Sequence, residues 1–199
     1  MSDAITAARS DQRSAAQRVR DAAKELFYRQ GIRATGVDEV CRAAGATKMS
    51  LYRAYPSKDA LVEAILREDC AVHDCAAGGV LDPALPARDR PRAYVMMAVD
   101  ALRTPGFRGC PLAMAIVEFP DPDHPVRQVA DAQKREIRER LHRICAEAGA
   151  KAPEALGDGL LLLAEGAFAS APFLGNAEAA RILESAVDTM LEHADLGSR

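Results

Sequence analysis

The sequence has no run of roughly 20 consecutive apolar residues, the length that a membrane-spanning helix needs. Its opening segment, MSDAITAARSDQRSAAQR, has no apolar stretch of the kind that marks a secretory leader. Together these absences predict a cytoplasmic protein with no membrane partner. Cysteine is sparse. Five residues, an odd number and scattered, point to free thiols rather than a disulfide framework. Cys70, His73 and Cys75 have ligand chemistry but match no standard zinc spacing. The acidic PDPDHP segment, with Asp121, Asp123 and His124, reads as a rigid turn leading into a helix whose first turn holds Pro125. No metal and no cofactor is therefore expected. Nucleotide fingerprints, a G-x-S-x-G elbow and an H-E-x-x-H pair are all missing, and the four His (73, 124, 142, 193) have no evident catalytic partners. An enzyme is not expected.

The chain does have enough apolar residues, 49% of 199, to build a sizeable core. Its length suits one larger or two smaller domains. Its charge is split. Residues 1–60 carry eleven Lys or Arg against seven Asp or Glu, while the rest carries fifteen against twenty-two. A basic head on an acidic body suggests a polyanionic partner for the head.

Helical periodicity runs through the whole chain, with no convincing strand and no internal repeat. Val19, Ala22, Ala23, Leu26 and Phe27 mark a first helix that Gly31 stops. Thr35 and Asp38 form a start signal for a short helix, Val37–Ala44, which Gly45 ends. Thr47 caps the next, about Lys48–Tyr55, closed by Pro56. Ser57 caps a longer amphipathic helix with Leu61, Ile65 and Leu66 on its apolar face. Gly78-Gly79 and the Pro83/Pro86 segment predict a break. Helices follow at about 88–104, 111–119, 124–148, 154–174 and 176–194.

Two short helices joined by the tight AGAT turn form a helix-turn-helix signal. Ala43, Ala44 and Ala46 let the helices approach, and Val40 and Leu51 can bury against Leu26 and Phe27. That leaves Thr47, Lys48, Met49, Ser50 and Arg53 outside, with Tyr52 and Tyr55 partly so. In this motif the second helix enters the major groove, N-terminal residues first. Lys48 can donate to a guanine edge, Ser50 can meet either kind of edge atom, and Met49 can pack on a thymine methyl. Tyr52, Tyr55 and Lys58 can donate to phosphates, which fixes register without reading sequence. The competing reading of the spacing is a helical hairpin that uses its tyrosines for packing.

The run from Arg18 to Leu66, with AA..LF...G, AAGAT and LYRAYPSKDAL, resembles the N-terminal domain of TetR-family transcriptional regulators. The resemblance implies an all-α homodimer, with three DNA-binding helices followed by a ligand-binding and dimerisation domain. It implies a flexible arm at 1–12, a helix-turn-helix domain at 13–60 and a regulatory domain at 61–199. It places base contacts on Lys48, Met49 and Ser50 and phosphate contacts on Thr47, Tyr52 and Lys58. Met49 stands where the family often has Gly, which bears on operator preference. Ala54 stands where it often has His, so one phosphate contact is in doubt.

In the regulatory half, GFRGCPLAMAIVEFPDPDHPVR (106–127) is similar to a TetR subgroup with a Gly-Cys-Pro motif. The 111–119 helix is apolar nearly all round, so burial is expected. A mostly apolar effector pocket is expected from Tyr94, Met97, Cys110, Met114, Val117, Glu118, Val129 and Ile137. Ordinary core packing is the alternative. Glu118 can meet a cationic ligand, or it can reach solvent or an Arg. Cys110, at the start of a helix and near Arg108, is a candidate thiol sensor of oxidants or electrophiles, or else an inert cap. The last two helices predict a symmetric dimer through Leu160, Leu163, Phe168, Leu183, Val187 and Met190. The expected function is a repressor released from a palindromic double-stranded operator by a small, mostly apolar effector. The alternatives are a thiol-sensing repressor and an architectural DNA-binding dimer without a ligand.

Overall fold

A computed structural model of the chain describes residues 14–80, 82, 84–194 and 196. The expected arm at 1–12 lies outside the described residues. Among the described residues the fold is all-α, with nine helices and no strand. They are α1 (Ala15–Gln30), α2 (Val37–Ala44), α3 (Lys48–Ala54), α4 (Lys58–Val80), α5 (Arg90–Arg103), α6 (Pro111–Glu118), α7 (Pro125–Glu147), α8 (Pro153–Leu174) and α9 (Asn176–His193). A single 3-10 turn, Ala87–Asp89, precedes α5.

The chain divides into two compact units. The first comprises residues up to Glu68 together with Ala115–Val129; the second comprises Asp69–Met114 and Ala130 onward. The domain boundary expected at 60/61 follows the helix-turn-helix alone. The compact unit also takes in the next two turns of α4 and the segment that joins α6 to α7.

In the first unit, Ser14 and Gln17 close a reciprocal capping box on α1, and Gly31 ends that helix at φ 97°. Val19, Ala23 and Phe27 of α1 are buried, as are Val40 of α2, Leu51 of α3 and Leu61, Val62, Ile65 and Leu66 of α4. Thr35 departs from the sequence reading. It is fully buried and its hydroxyl donates to the Gly31 carbonyl at 2.8 Å, so it serves the α1–α2 loop. The residue that caps α2 is Gly36, with no side-chain hydrogen bond. The predicted break at Gly78-Gly79 is also displaced, since α4 continues through both glycines to Val80.

In the second unit, α5, α8 and α9 pack on one another around a core with Val99, Leu102, Leu141, Ile144, Leu160, Leu183 and Val187. Gly157 lets α8 lie close to α7: a Cβ there would fall 2.7 Å from the His142 ring. The neighbouring Asp158 accepts from both Arg138 and His142, and these bonds hold its carboxyl well below the usual carboxylate range. No helix among the described residues is long and apolar enough to cross a membrane.

Candidate functional site

The turn between α2 and α3 is built from small residues and closed by backbone bonds. Gly45 is left-handed at φ 56°, and Ala46 donates to the Cys41 carbonyl at 2.9 Å. Arg18, reaching from α1, donates through Nε to the Ala44 carbonyl at 3.1 Å and so binds the carbonyl end of α2. Thr47 caps α3. Its hydroxyl accepts the Ser50 amide at 3.1 Å and lies 3.0 Å from the Ser50 hydroxyl.

With Leu51 buried, the outer face of α3 is fixed in register. Met49, at 72% exposed, and Tyr52 stand in solvent. Lys48 is exposed and donates to Asp38 at 2.7 Å. This bond holds its ammonium above the ordinary value. Lys48, Met49 and Ser50 thus share the N-terminal turn of α3. Tyr55 is half-buried, with its hydroxyl 3.5 Å from the Ala16 carbonyl, against the first turn of α1. Lys58 is half-buried and carries its ammonium 5.8 Å from the centre of the Phe27 ring.

The second unit contains a cavity of about 220 Å³. Four of the residues expected at an effector pocket line it: Tyr94, Met97, Cys110 and Ile137. Met114, Val117, Glu118 and Val129 are not among its walls. Val117 is 78% exposed. Glu118 belongs to the first unit, where its carboxylate accepts the backbone N–H groups of Ile32 at 2.8 Å and Arg33 at 2.6 Å. These two donors, just after the end of α1, offset the repulsion a carboxylate meets at the C-terminal end of α6.

One wall of the cavity carries a polar group that the sequence reading missed. Lys134 of α7 donates to the Cys110 sulfur at 3.3 Å and to Glu165 of α8. Burial works against the charge of Lys134, but Cys110 and Glu165 outweigh it and hold the ammonium above its usual value. Burial pushes the Cys70 thiol on the same lining up to about 11, and Cys145 likewise to about 11. Lys134 falls on the buried stripe of α7, between Ala130 and Leu141 at helical spacing, and this position was the signal that set it apart from a solvated lysine. Among the described residues, no group of three or more His, Cys, Asp or Glu is placed to hold a metal ion. Asp121 instead accepts the Asp123 amide at 3.0 Å and shapes the turn before α7.

The residues expected at a dimer interface fall into two sets. Leu160, Leu183 and Val187 are 0–2% exposed and fill the core of the protomer, so they are not available to a partner. Phe168 packs on Phe107 with ring centres 5.1 Å apart and also lines the cavity. Leu163 and Met190 border a wide apolar groove with Ala155, Leu156, Ala186 and Thr189. Beside it α8 presents a stripe of exposed residues, Ala155, Leu162, Gly166, Ala169 and Phe173, at helical spacing. Leu162 is 71% and Phe173 77% exposed.

A helix-turn-helix with an exposed second helix, followed by a helical unit with a cavity, defines the class of DNA-binding transcription regulators with a separate regulatory unit. Residues 19–65 match the bacterial regulatory proteins of the tetR family, and residues 87–187 match the tetracyclin repressor-like C-terminal domain. The chain belongs to the TetR family. Among solved structures it is similar to a TetR-family transcriptional regulator from Streptomyces coelicolor, with 28% identity over 92% of this chain and 96% of that one and a TM-score of 0.86. It is also similar to a protein of Streptomyces avermitilis assigned to the same regulators, with 29% identity, coverage of 93% and 100%, and a TM-score of 0.80. The reduced form of E. coli NemR shares the fold at 20% identity, coverage of 88% and 95%, and a TM-score of 0.76.

Proposed function

We propose that the chain acts as a homodimeric repressor that leaves a palindromic operator when a small, mostly apolar effector fills the cavity of its second unit. The observation that carries this reading is the cavity of about 220 Å³, walled mostly by apolar side chains such as Val95, Ala98, Leu112, Leu141 and Phe168. In the first unit, Lys48, Met49 and Ser50 read bases, while Thr47, Tyr52, Tyr55 and Lys58 hold phosphates. The regulatory domain begins in α4, and the exposed α8 stripe with the α8–α9 groove forms the two-fold interface. Leu163 and Met190 belong to that interface.

Selection from random duplexes tests the reading. It should enrich a palindrome with half-sites about one helical turn apart or a multiple of it. Compounds that raise the unfolding temperature of the protein should then lower its affinity for the enriched duplex. An unchanged affinity would favour an architectural dimer, and chemical turnover of such a compound would favour an enzyme.

The 3.3 Å approach of the Lys134 ammonium to the Cys110 sulfur favours a second reading, in which Cys110 responds to electrophiles or oxidants. Alkylation by iodoacetamide should then be faster at Cys110 than at the exposed Cys75 at neutral pH. Operator release that survives Cys110→Ser unchanged would rule this reading out.

A further inference from the structure

The cavity has a polar end whose hydrogen bonds are incomplete. Tyr94 is 5% exposed and lines the cavity, and its hydroxyl finds no acceptor among the described residues. A buried phenol normally finds one. The neighbouring Arg140, which donates to Asp74 at 2.8 Å and to Glu136 at 3.2 Å, can only donate, so it leaves the Tyr94 O–H without an acceptor. Burial keeps the Tyr94 phenol neutral, pushed up to about 12, so its O–H is available to donate. His73 meets the Tyr94 ring edge-on with centres 6.0 Å apart, and it too lines the cavity. Its Nδ1 is buried without a hydrogen bond, and the nearest carboxylate oxygen, on Asp74, is 3.6 Å away. Burial also lowers the pKa of this imidazole, which favours the uncharged ring.

Three charged residues line the cavity, Asp69, Lys134 and Glu165, and none of them is free. Lys134 donates to Glu165 and Cys110, so an anionic ligand would have to compete with a carboxylate in place. Glu165 is held by the same ammonium, so a cationic ligand meets the reverse obstacle. An ionised ligand would therefore lose its hydration without gaining a free counter-charge. The size is equally restrictive. The volume of about 220 Å³ lies below the roughly 300–1,000 Å³ usual for drug-sized ligands, and an apolar cavity of about 150 Å³ already accepts benzene.

We infer that the cavity takes a neutral molecule about the size of a substituted benzene, with an apolar body and one carbonyl oxygen that accepts the Tyr94 hydroxyl. This rests on the reading of the cavity as the effector site and adds the chemistry of the effector. His73 closes the same polar end and accepts a hydrogen bond only from ligands that also carry a donor.

Isothermal titration of the full-length protein with four probes matched in size tests the assignment: acetophenone, isopropylbenzene, benzoate and benzamidine. Acetophenone should bind at least about tenfold more tightly than the other three, since a site built to hydrogen-bond rejects analogues that cannot. Tyr94→Phe should abolish the preference for acetophenone over isopropylbenzene while leaving isopropylbenzene binding unchanged. This variant removes a buried hydroxyl that has no acceptor, so its unfolding midpoint should stay close to that of the wild type, which separates loss of recognition from loss of fold. Tightest binding by benzoate or benzamidine, a preference that survives Tyr94→Phe, or no binding by any of the four would each overturn the ligand class. The same probes are then added to the protein on its selected duplex. Acetophenone binding without release leaves the ligand class standing and overturns the effector reading. Release by benzoate does the opposite.

Discussion

The carboxylate of Glu118 holds the backbone amide of Arg33 at 2.6 Å and, through its other oxygen, that of Ile32 at 2.8 Å. The chain turns away from α1 at this point, with Gly31 at φ 97°. A Cβ on residue 31 would stand 3.4 Å from the Glu118 carboxylate. The last residue of α6 therefore fastens the loop that leads to the helix-turn-helix. Glu118→Ala should cost the first unit about 1–3 kcal/mol, because two amides lose a charged acceptor. Hydrogen exchange at residues 31–36 should rise in the variant, while exchange in the α5–α9 core stays as in the wild type. Unchanged exchange in the loop would show that the two bonds contribute nothing.

Local signals made the first unit legible. Helix lengths, the Thr47 and Ser57 caps and the tight AGAT turn are all set by residues within a few positions of one another. Glu118 was not legible in the same way, since its donors lie 85 and 86 residues earlier in the chain. The partners of Lys134 were not legible either, since Cys110 lies just before α6 and Glu165 on α8. The α8 sequence LGDGLLLLAEGAFASAPFL posed a different difficulty. Leucine occupies both of its sides, so periodicity does not tell which side meets the core. Leu160 faces inward at 0% exposed and Leu162 outward at 71%, two residues apart. Only the positions of α5 and α9 decide between them.

The residues proposed to face DNA should separate into two kinds. Tyr52→Phe and Lys58→Ala should weaken binding to all duplexes about equally, and loss of the Lys58 charge should reduce the salt slope by about one counterion. Lys48→Ala should lower the preference for the selected palindrome over random duplex by about tenfold, with a smaller effect on random duplex. Asp38→Asn frees the Lys48 ammonium, so it should strengthen binding to every duplex. Fluorescence anisotropy on specific and random duplexes measures all four. Equal losses on both duplexes for Lys48→Ala would remove it from base reading.

Burial distinguishes interface substitutions from core substitutions. Leu162→Arg or Phe173→Arg places a charge on the exposed α8 stripe and should convert the proposed dimer to a folded 21.3 kDa monomer. Operator binding should fall with it, since two half-sites are then no longer held together. Leu183→Arg buries an unpaired charge in the protomer core and should unfold the chain instead. Sedimentation with far-ultraviolet circular dichroism tells the two outcomes apart. A dimer that persists in both stripe variants would move the interface elsewhere.

The cavity should also make stability depend on pH through His73. Burial, reinforced by the nearby Arg140 and Lys134, lowers its pKa below the ordinary 6.5, and the attraction of Asp74 offsets only part of this. The unfolded chain therefore binds the proton first. The folded state keeps its full margin above about pH 6.5 and loses part of it as the pH falls from there toward the lower folded value. His73→Gln lacks the titrating group and should lose less stability than the wild type between about pH 7.5 and pH 5.5. Guanidinium unfolding midpoints at the two pH values provide the comparison. Any ligand that fills the cavity against the neutral imidazole should in turn bind more weakly at the lower pH, and a ligand affinity that rises on acidification would place a charged His73 in the complex.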